Sequence, residues 1–396
     1  MLISEKVILL LLLLGTFLLV SQLLPKVRTL SLKRGFVAIP ENRSSHTSIT
    51  PSFGGVSFYI ALLVFFILSF SQENGWLIGT LLFAISVIFF TGLKDDLKDI
   101  SPKAKLLGQW IAICALLVHP EFRITDLHGF LGITALPTLV SVLFSTFLYV
   151  SLINAYNLID GIDGLASIIG IVVASAFGLS FFIIGLYFYV GLCVVIVGML
   201  LAFLRFNFSS KRKLFMGDTG SLILGLLFGV LAMRLLSVGY SPVDALGIGR
   251  SETPLLVLAI LSIPAFDIVR VVCIRKIHKK PFFSPDRNHL HHVLIDSGLS
   301  HAKASLLAGG INIILIGVVY AALLQYDLGT ASIVLLASYL VLTVSLFIVN
   351  KRLGPKRIKV KLRRFLFKIS HPTPNISAEK QLKFNKKLKL IRIFFF

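Results

Sequence analysis

Asp95, Asp96 and Asp99 form a D-D-x-x-D pattern directly behind an apolar run, 77–93, that is long enough to be a membrane span. Adjacent carboxylates raise one another's pKa unless a cation or partner intervenes, so such a cluster is suited to holding Mg²⁺ or sharing a proton. Lys94, Lys98, Lys103 and Lys105 surround it, which fits a site that handles polyanions. The plainer alternative is a solvated loop balanced by lysines. Against it, charge held next to hydrocarbon is costly and marks function by default.

Three further polar islands lie at the ends of apolar runs. Asn154, Asn157, Asp160 and Asp163 fall within ten residues, with glycines at 161 and 164. In a helix Asn157, Asp160 and Asp163 take positions i, i+3 and i+6, broadly one side of a helix end. Hard oxygens of this kind suit Mg²⁺, which keeps several waters and takes substrate phosphates as further ligands. The glycines let backbone approach a ligand closely. In the third island Asp218 sits within Phe-Met-Gly-Asp-Thr-Gly-Ser, 215–221, where a helix N-terminus would favour anions, although Asp, Thr and Ser are also ordinary N-caps. The fourth, 286–292, holds Arg287, His289, His291 and His292. Histidines so spaced point to zinc or phosphate; with no fourth soft ligand and a basic setting, donation to phosphate is favoured over zinc. A fifth, weaker element comprises Arg43, His46, Pro51, Gly54 and Gly55, which reads equally well as a loop with a turn and a close helix contact.

These groups must be positioned by membrane helices. The chain has 396 residues, 56% hydrophobic and 14% charged, with mean hydropathy +0.91, far outside soluble usage. The expected fold is an all-α, polytopic membrane helical bundle. Apolar runs at 7–24, 52–70, 76–93, 105–118, 137–153, 165–183, 185–204, 220–238, 253–274, 304–323 and 329–349 make eleven candidate spans. The fourth is short and the sixth and seventh nearly touch, so ten is the competing count. The first run has Glu5 and Lys6 before it, no small-x-small cleavage site after it, and its basic residues behind; it reads as an uncleaved span.

Lys and Arg concentrate in alternate connections: 26–43, 94–105, 205–213 and 270–303, against only Arg123, Arg234 and Arg250 in the other set, apart from Lys6. Basic residues mark cytoplasmic segments. Eleven spans then put the N-terminus outside, the C-terminus inside, and all four polar islands on the cytoplasmic face of one bilayer. The net charge of +21 is therefore a topology signal, not a nucleic-acid signal. The stretch after Asn350 supplies 15 of the 39 basic residues and reads either as a segment lying on anionic headgroups or as a solubilising tail. A transmembrane catalytic domain, 1–350, and a basic cytoplasmic tail, 351–396, are expected. Cys114, Cys193 and Cys273 lie far apart without CxxC spacing and indicate neither disulfide nor zinc.

Taken together, the stretches 43–55, 92–109, 154–166, 215–225 and 285–292 resemble, in order, the polyprenyl-phosphate N-acetylhexosamine-1-phosphate transferases, glycosyltransferase family 4. The histidine loop and the Arg43/His46 segment are more similar to the bacterial undecaprenyl-phosphate N-acetylglucosamine-1-phosphate transferases than to the muramoyl-pentapeptide branch, which shares the Asp95 and Asn154 motifs. The resemblance implies a bacterial inner-membrane enzyme that moves N-acetylhexosamine 1-phosphate from a UDP-sugar to undecaprenyl phosphate and starts envelope polysaccharide synthesis. It implies Mg²⁺, with Mn²⁺ as a substitute, held by Asn157 and Asp218. Asp95 and Asp96 would position and deprotonate the lipid phosphate, and Asp160 and Asp163 would shape the nucleotide and metal environment. Arg43, His46, Lys105, Asn154, Arg287, His289, His291 and His292 would bind substrate. A homodimer is compatible with it.

The nearest rival enzyme is an intramembrane prenyltransferase, whose two metal motifs resemble Asp95-Asp96-x-x-Asp99 and Asn157-x-x-Asp160-x-x-Asp163; it has no use for the histidine loop or the Asp218 motif. A CDP-alcohol phosphotransferase requires an Arg that the segment after Asp163 lacks. A transporter of lipid-linked sugars predicts ionisable groups near the bilayer midplane. Here they gather at one face.

Overall fold

A computed structural model describes residues 3–38, 50–71, 74–239, 243–277, 279 and 288–370. The chain divides into two compact units, Met1–Val344 and Ser345–Phe396. The first is a bundle of helices. In chain order the helices of the whole chain are α1 (Ile3–Arg34), α2 (Gly54–Leu68), α3 (Gly75–Leu97), α4 (Pro102–Leu117), α5 (Thr138–Ile159), α6 (Leu165–Ile183), α7 (Tyr187–Asn207), α8 (Gly217–Leu236), α9 (Thr253–Ile260), α10 (Ser262–Ile277), α11 (Leu290–Asp296), α12 (His301–Gln325) and α13 (Leu328–Ser370), the last of which begins in the first unit and continues into the second. A two-stranded antiparallel ribbon pairs β1 (Val37–Ala38) with β2 (Thr50–Pro51).

Among the described residues eight helices are long and apolar enough to cross a membrane, and counting the bent α9–α10 pair as one span makes nine. The chain is thus an all-helical, multi-pass membrane protein. Two of the eleven apolar runs become shorter helices, α2 with 15 residues and α4 with 16. At 1.5 Å per residue these reach roughly 23 Å, short of about 30 Å of hydrocarbon. The run at 52–70 loses its start to a turn in which Phe53 takes a left-handed φ of 88°. The run at 105–118 starts earlier than its apolar residues, because Ser101 accepts a hydrogen bond from the Ala104 amide and Pro102 supplies the preset first helical φ.

α8 is the centre of the bundle, with 94% of its apolar stretch buried. Being apolar on every side, it must be enclosed, and α2, α3, α5 and α6 pack around it. Backbone comes close enough for this only where side chains are missing. A Cβ on Gly55 would lie 2.2 Å from the Gly220 amide nitrogen, and one on Gly92 would lie 2.6 Å from Thr219 Cα. At the far end of α8, Arg234 pairs with Glu121 at 3.1 Å, and Tyr189 donates to the same carboxylate at 2.8 Å.

α9 and α10 meet at an angle of 75°. Pro264 has no N–H to give to the Ile260 carbonyl and its ring crowds that turn, so the helix breaks. The freed groups are not left bare. Asn312 of α12, fully buried, donates to Ile260 O at 3.2 Å and accepts from the Ile263 amide at 3.1 Å. One amide side chain thereby repairs both sides of the break. Asn312→Leu keeps the volume and leaves two buried backbone groups unsatisfied, which costs roughly 1–3 kcal/mol each. Thermal unfolding of the purified variant in detergent should therefore occur several degrees below wild type; an unchanged midpoint would refute this account of the bend.

Candidate functional site

The first turn of α8 is where the polar islands meet. Gly217 opens the helix at φ +74°, and Met216 before it offers no side-chain cap. The cap comes from another helix. Asp96, at the end of α3, accepts from the Asp218 amide through Oδ1 at 2.8 Å, and through Oδ2 from the Thr219 amide at 3.0 Å and the Thr219 hydroxyl at 2.6 Å. Both oxygens of Asp96 are taken up in holding α8. A Cβ at 217 would lie 2.5 Å from that carboxylate, so glycine is required there for its space as well as its φ.

Asp218 is aimed by this cap into a recess where its side chain is 32% exposed. Its Oδ1 accepts from Asn157 Nδ2 at 2.5 Å and pairs with Lys105 Nζ at 3.0 Å. Asn157 also donates to Ser221, one turn further along α8, at 2.8 Å. Lys105 reaches Asp95 Oδ2 at 2.9 Å as well, and Asp95 Oδ1 accepts from the Ile100 amide at 2.9 Å. One turn beyond Lys105, the fully buried Gln109 exchanges amide hydrogen bonds with Asn154, at 2.9 and 3.4 Å. Asn154 thus joins α4 to α5 beside the recess.

Asp160 and Asp163 flank the turn that ends α5, and they differ. Among the described residues the Asp160 carboxyl makes no hydrogen bond. Burial, then the negative charges of Asp218, Asp96 and Asp163, push it up to about 7. Asp163 is also driven upward by burial, but hydrogen bonds from His301 at 2.9 Å and Lys213 at 2.6 Å outweigh that and hold it below the usual carboxylate range. Its carbonyl accepts from Ser305 at 2.8 Å. Asp163 is a tie between the turn, the loop before α8 and α12.

The histidines dock against the same turn. Asp267 of α10 accepts from the Leu290 amide at 2.7 Å, capping α11, and pairs with His289 Nδ1 at 2.8 Å. Arg270, one turn on, holds Asp267 at 3.4 Å and the Asn288 carbonyl. His291 lies over Gly161, where a Cβ would be 2.4 Å from its Nε2. Burial and then the charge of His292 push His291 down to about 3, so it is a neutral imidazole; its Nδ1 has no partner among the described residues. The His291 and His292 rings are 4.2 Å apart. Arg43, His46 and Arg287 lie outside the described residues.

Asp95, Asp96, Lys105, Asn157 and Asp218 are therefore linked around the first turn of α8, with Asp160 near enough to feel the charges of Asp218 and Asp96, while Asn154 pairs with Gln109 beside them and Asp163 and His291 hold the turn after α5. Four residues escape the sequence reading of the site. Asp267 and Arg270 carry a signal, being ionisable groups at i and i+3 inside an apolar run; Arg270 and Lys213 enter the sequence reading only as topology residues, and His301 is isolated in sequence. Among the described residues no three His, Cys, Asp or Glu are arranged to hold a metal by themselves. Asp218 and Asp160 nevertheless carry hard oxygens of the kind Mg²⁺ takes when waters and substrate phosphates complete its shell, and Asn157 carries a third on the amide whose nitrogen faces Asp218 and Ser221.

Residues 77–236 match the model of glycosyl transferase family 4. The chain is 32% identical to the decaprenyl-phosphate N-acetylglucosaminephosphotransferase of Mycolicibacterium smegmatis over 357 residues, covering 83% of this chain and 85% of the relative. It is 32% identical to the enzyme of the same name from Mycobacterium tuberculosis, covering 71% and 74%. With the undecaprenyl-phosphate alpha-N-acetylglucosaminyl 1-phosphate transferase of Salmonella typhi it shares 30% identity, covering 71% and 74%.

If Asp96 is the cap of α8, Asp96→Ala releases the first-turn amides. Their hydrogen–deuterium exchange should speed up on the order of tenfold or more, since each lost buried partner is worth about 1–3 kcal/mol. Unchanged uptake across 217–221 would show that α8 starts without Asp96.

Proposed function

The chain belongs to glycosyl transferase family 4, and from that premise we propose that it transfers N-acetylglucosamine 1-phosphate from UDP-N-acetylglucosamine to undecaprenyl phosphate, releasing UMP. An oxygen of the lipid phosphate bonds to the β-phosphorus of the nucleotide sugar. The bond from that phosphorus to the bridging oxygen breaks, and UMP leaves with the electron pair. The single observation that carries the reading is the first turn of α8, where Asp218 projects into a recess shared with Lys105, Asn157 and Asp160.

Phosphoryl transfer is mostly positioning and charge neutralisation. Asp218 and Asn157 would hold Mg²⁺, or Mn²⁺ in its place, with Asp160 beside them. The bound cation would neutralise the diphosphate. Asp96 positions Asp218 through the α8 amides, and Lys105, tethered to Asp95, binds phosphate oxygens. The resemblance gives proton removal from the lipid phosphate to Asp95 and Asp96; with Asp96 engaged on α8 and Asp95 on Lys105 and the Ile100 amide, that step falls in this reading to Asp160, whose carboxyl is pushed up to about 7 and is unpaired among the described residues. His289, held by Asp267, the neutral His291, and His292 donate to phosphate, together with Arg287; Arg43 and His46 complete the substrate set. Asn154 acts through Gln109 and α4.

The acceptor is a membrane lipid and the donor a soluble nucleotide, so the site belongs at an interface. The Lys and Arg bias supports a cytoplasmic-face site with the N-terminus outside, and the bacterial origin of the relatives supports a bacterial inner membrane. The occupation of Asp163 by Lys213 and His301 leaves the second acidic motif without the paired carboxylates an intramembrane prenyltransferase needs.

Purified protein given Mg²⁺, UDP-N-acetylglucosamine and undecaprenyl phosphate should release UMP, and chelation should stop it. Asp218→Ala should lower kcat on the order of a hundredfold or more, as removal of a charge-stabilising group does. Robust turnover by that variant would remove Asp218 from the site. No UMP from any UDP-N-acetylhexosamine would remove the function.

A further inference from the structure

Lys105 occupies an unusual place. Its ammonium lies between carboxylates of two helices, 2.9 Å from Asp95 on α3 and 3.0 Å from Asp218 on α8, with its side chain 17% exposed. The Asp218 oxygen it touches, Oδ1, is also the one that accepts from Asn157. So the positive charge between these helices stands on the carboxylate that a divalent cation would require.

We propose that Lys105 is an exchangeable counter-cation, which holds the cation position at Asp218 until a divalent cation displaces it and a substrate phosphate receives it. The inference rests on the assignment of Asp218 to the cation given above. Two cations on one carboxylate in a partly buried recess repel strongly, so the divalent ion replaces the ammonium. A displaced ammonium left unpaired in that setting is costly. Phosphate oxygens remove that cost. Lysine suits the exchange because its charge is a point on a flexible four-carbon stem. Asp95 suits the tether, since its other oxygen is fixed by the Ile100 amide and need not move when Lys105 turns. Cation and diphosphate then favour each other's binding through Lys105, in addition to any direct contact between them, and by linkage the coupling is reciprocal.

The test is Mn²⁺ binding to the purified full-length protein, read from the electron paramagnetic resonance of free Mn²⁺, with and without UDP-N-acetylglucosamine. Without nucleotide, Lys105→Met and the similarly long Lys105→Gln should bind Mn²⁺ at least about fivefold more tightly than wild type, the low end of ordinary coupling. The gain in Mn²⁺ affinity on adding the nucleotide sugar should shrink in both. A role in structure alone would loosen cation binding, not tighten it. Asp218→Ala serves as the reference for the site. Equal or weaker binding by both Lys105 variants, with binding lost in Asp218→Ala, overturns the counter-cation and leaves the site assignment standing. Mn²⁺ binding that survives Asp218→Ala overturns both.

Discussion

A helix enclosed on every side must find partners for its first N–H groups somewhere other than water, and α8 finds them in Asp96. That carboxylate arrives from α3, takes two backbone amides and one hydroxyl, and thereby fixes which way Asp218 points. The same requirement accounts for the glycines nearby. Gly55 and Gly92 let α2 and α3 approach the α8 backbone, and Gly217 makes room for the Asp96 carboxylate itself. Remove the enclosure and the cap is unnecessary; remove the cap and Asp218 has no fixed direction.

The rest of the site follows the same economy of polar groups. Asn312 satisfies both backbone groups freed at Pro264, and the bend it stabilises sets the direction of α10, from which Asp267 reaches the start of α11. Asp163 binds its turn to Lys213 and His301, and Gly161 accepts the ring of His291 against its backbone. In each case a polar side chain inside an apolar bundle is paired with a specific partner, as burial demands. Among the described residues of the site the Asp160 carboxyl and His291 Nδ1 are exceptions. The raised Asp160 carboxyl stands among three other acids, which is the arrangement of a site that awaits positive charge.

Much of this was legible in the chain. Hydropathy exposed the bundle, and the acidic islands at span ends announced the recess, because charge beside hydrocarbon is rarely idle. What was not legible was the division of labour among the acids. Asp95 and Asp96 are neighbours in sequence, yet one faces Lys105 and the other caps α8, since successive residues on a helix point about 100° apart. The D-D-x-x-D spacing alone says nothing of that. Asp163 and Asp160 likewise share a motif and part company in space, and the two partners of Asp163, His301 and Lys213, lie 138 and 50 residues away. At 52–70 the apolar run is longer than its helix, because its first residues belong to a turn.

The central claim is that the first turn of α8 is a cation and diphosphate site whose direction Asp96 sets. Its most direct test is an anomalous-scattering map from crystals grown with Mn²⁺ and UDP-N-acetylglucosamine. The account predicts a single strong peak bonded to the Asp218 carboxylate, with Asp96 still on the Asp218 and Thr219 amides and the diphosphate on the open side. A peak at the histidine cluster with Asp218 unliganded, or an Asp96 turned from α8 to ligate the metal, would contradict it.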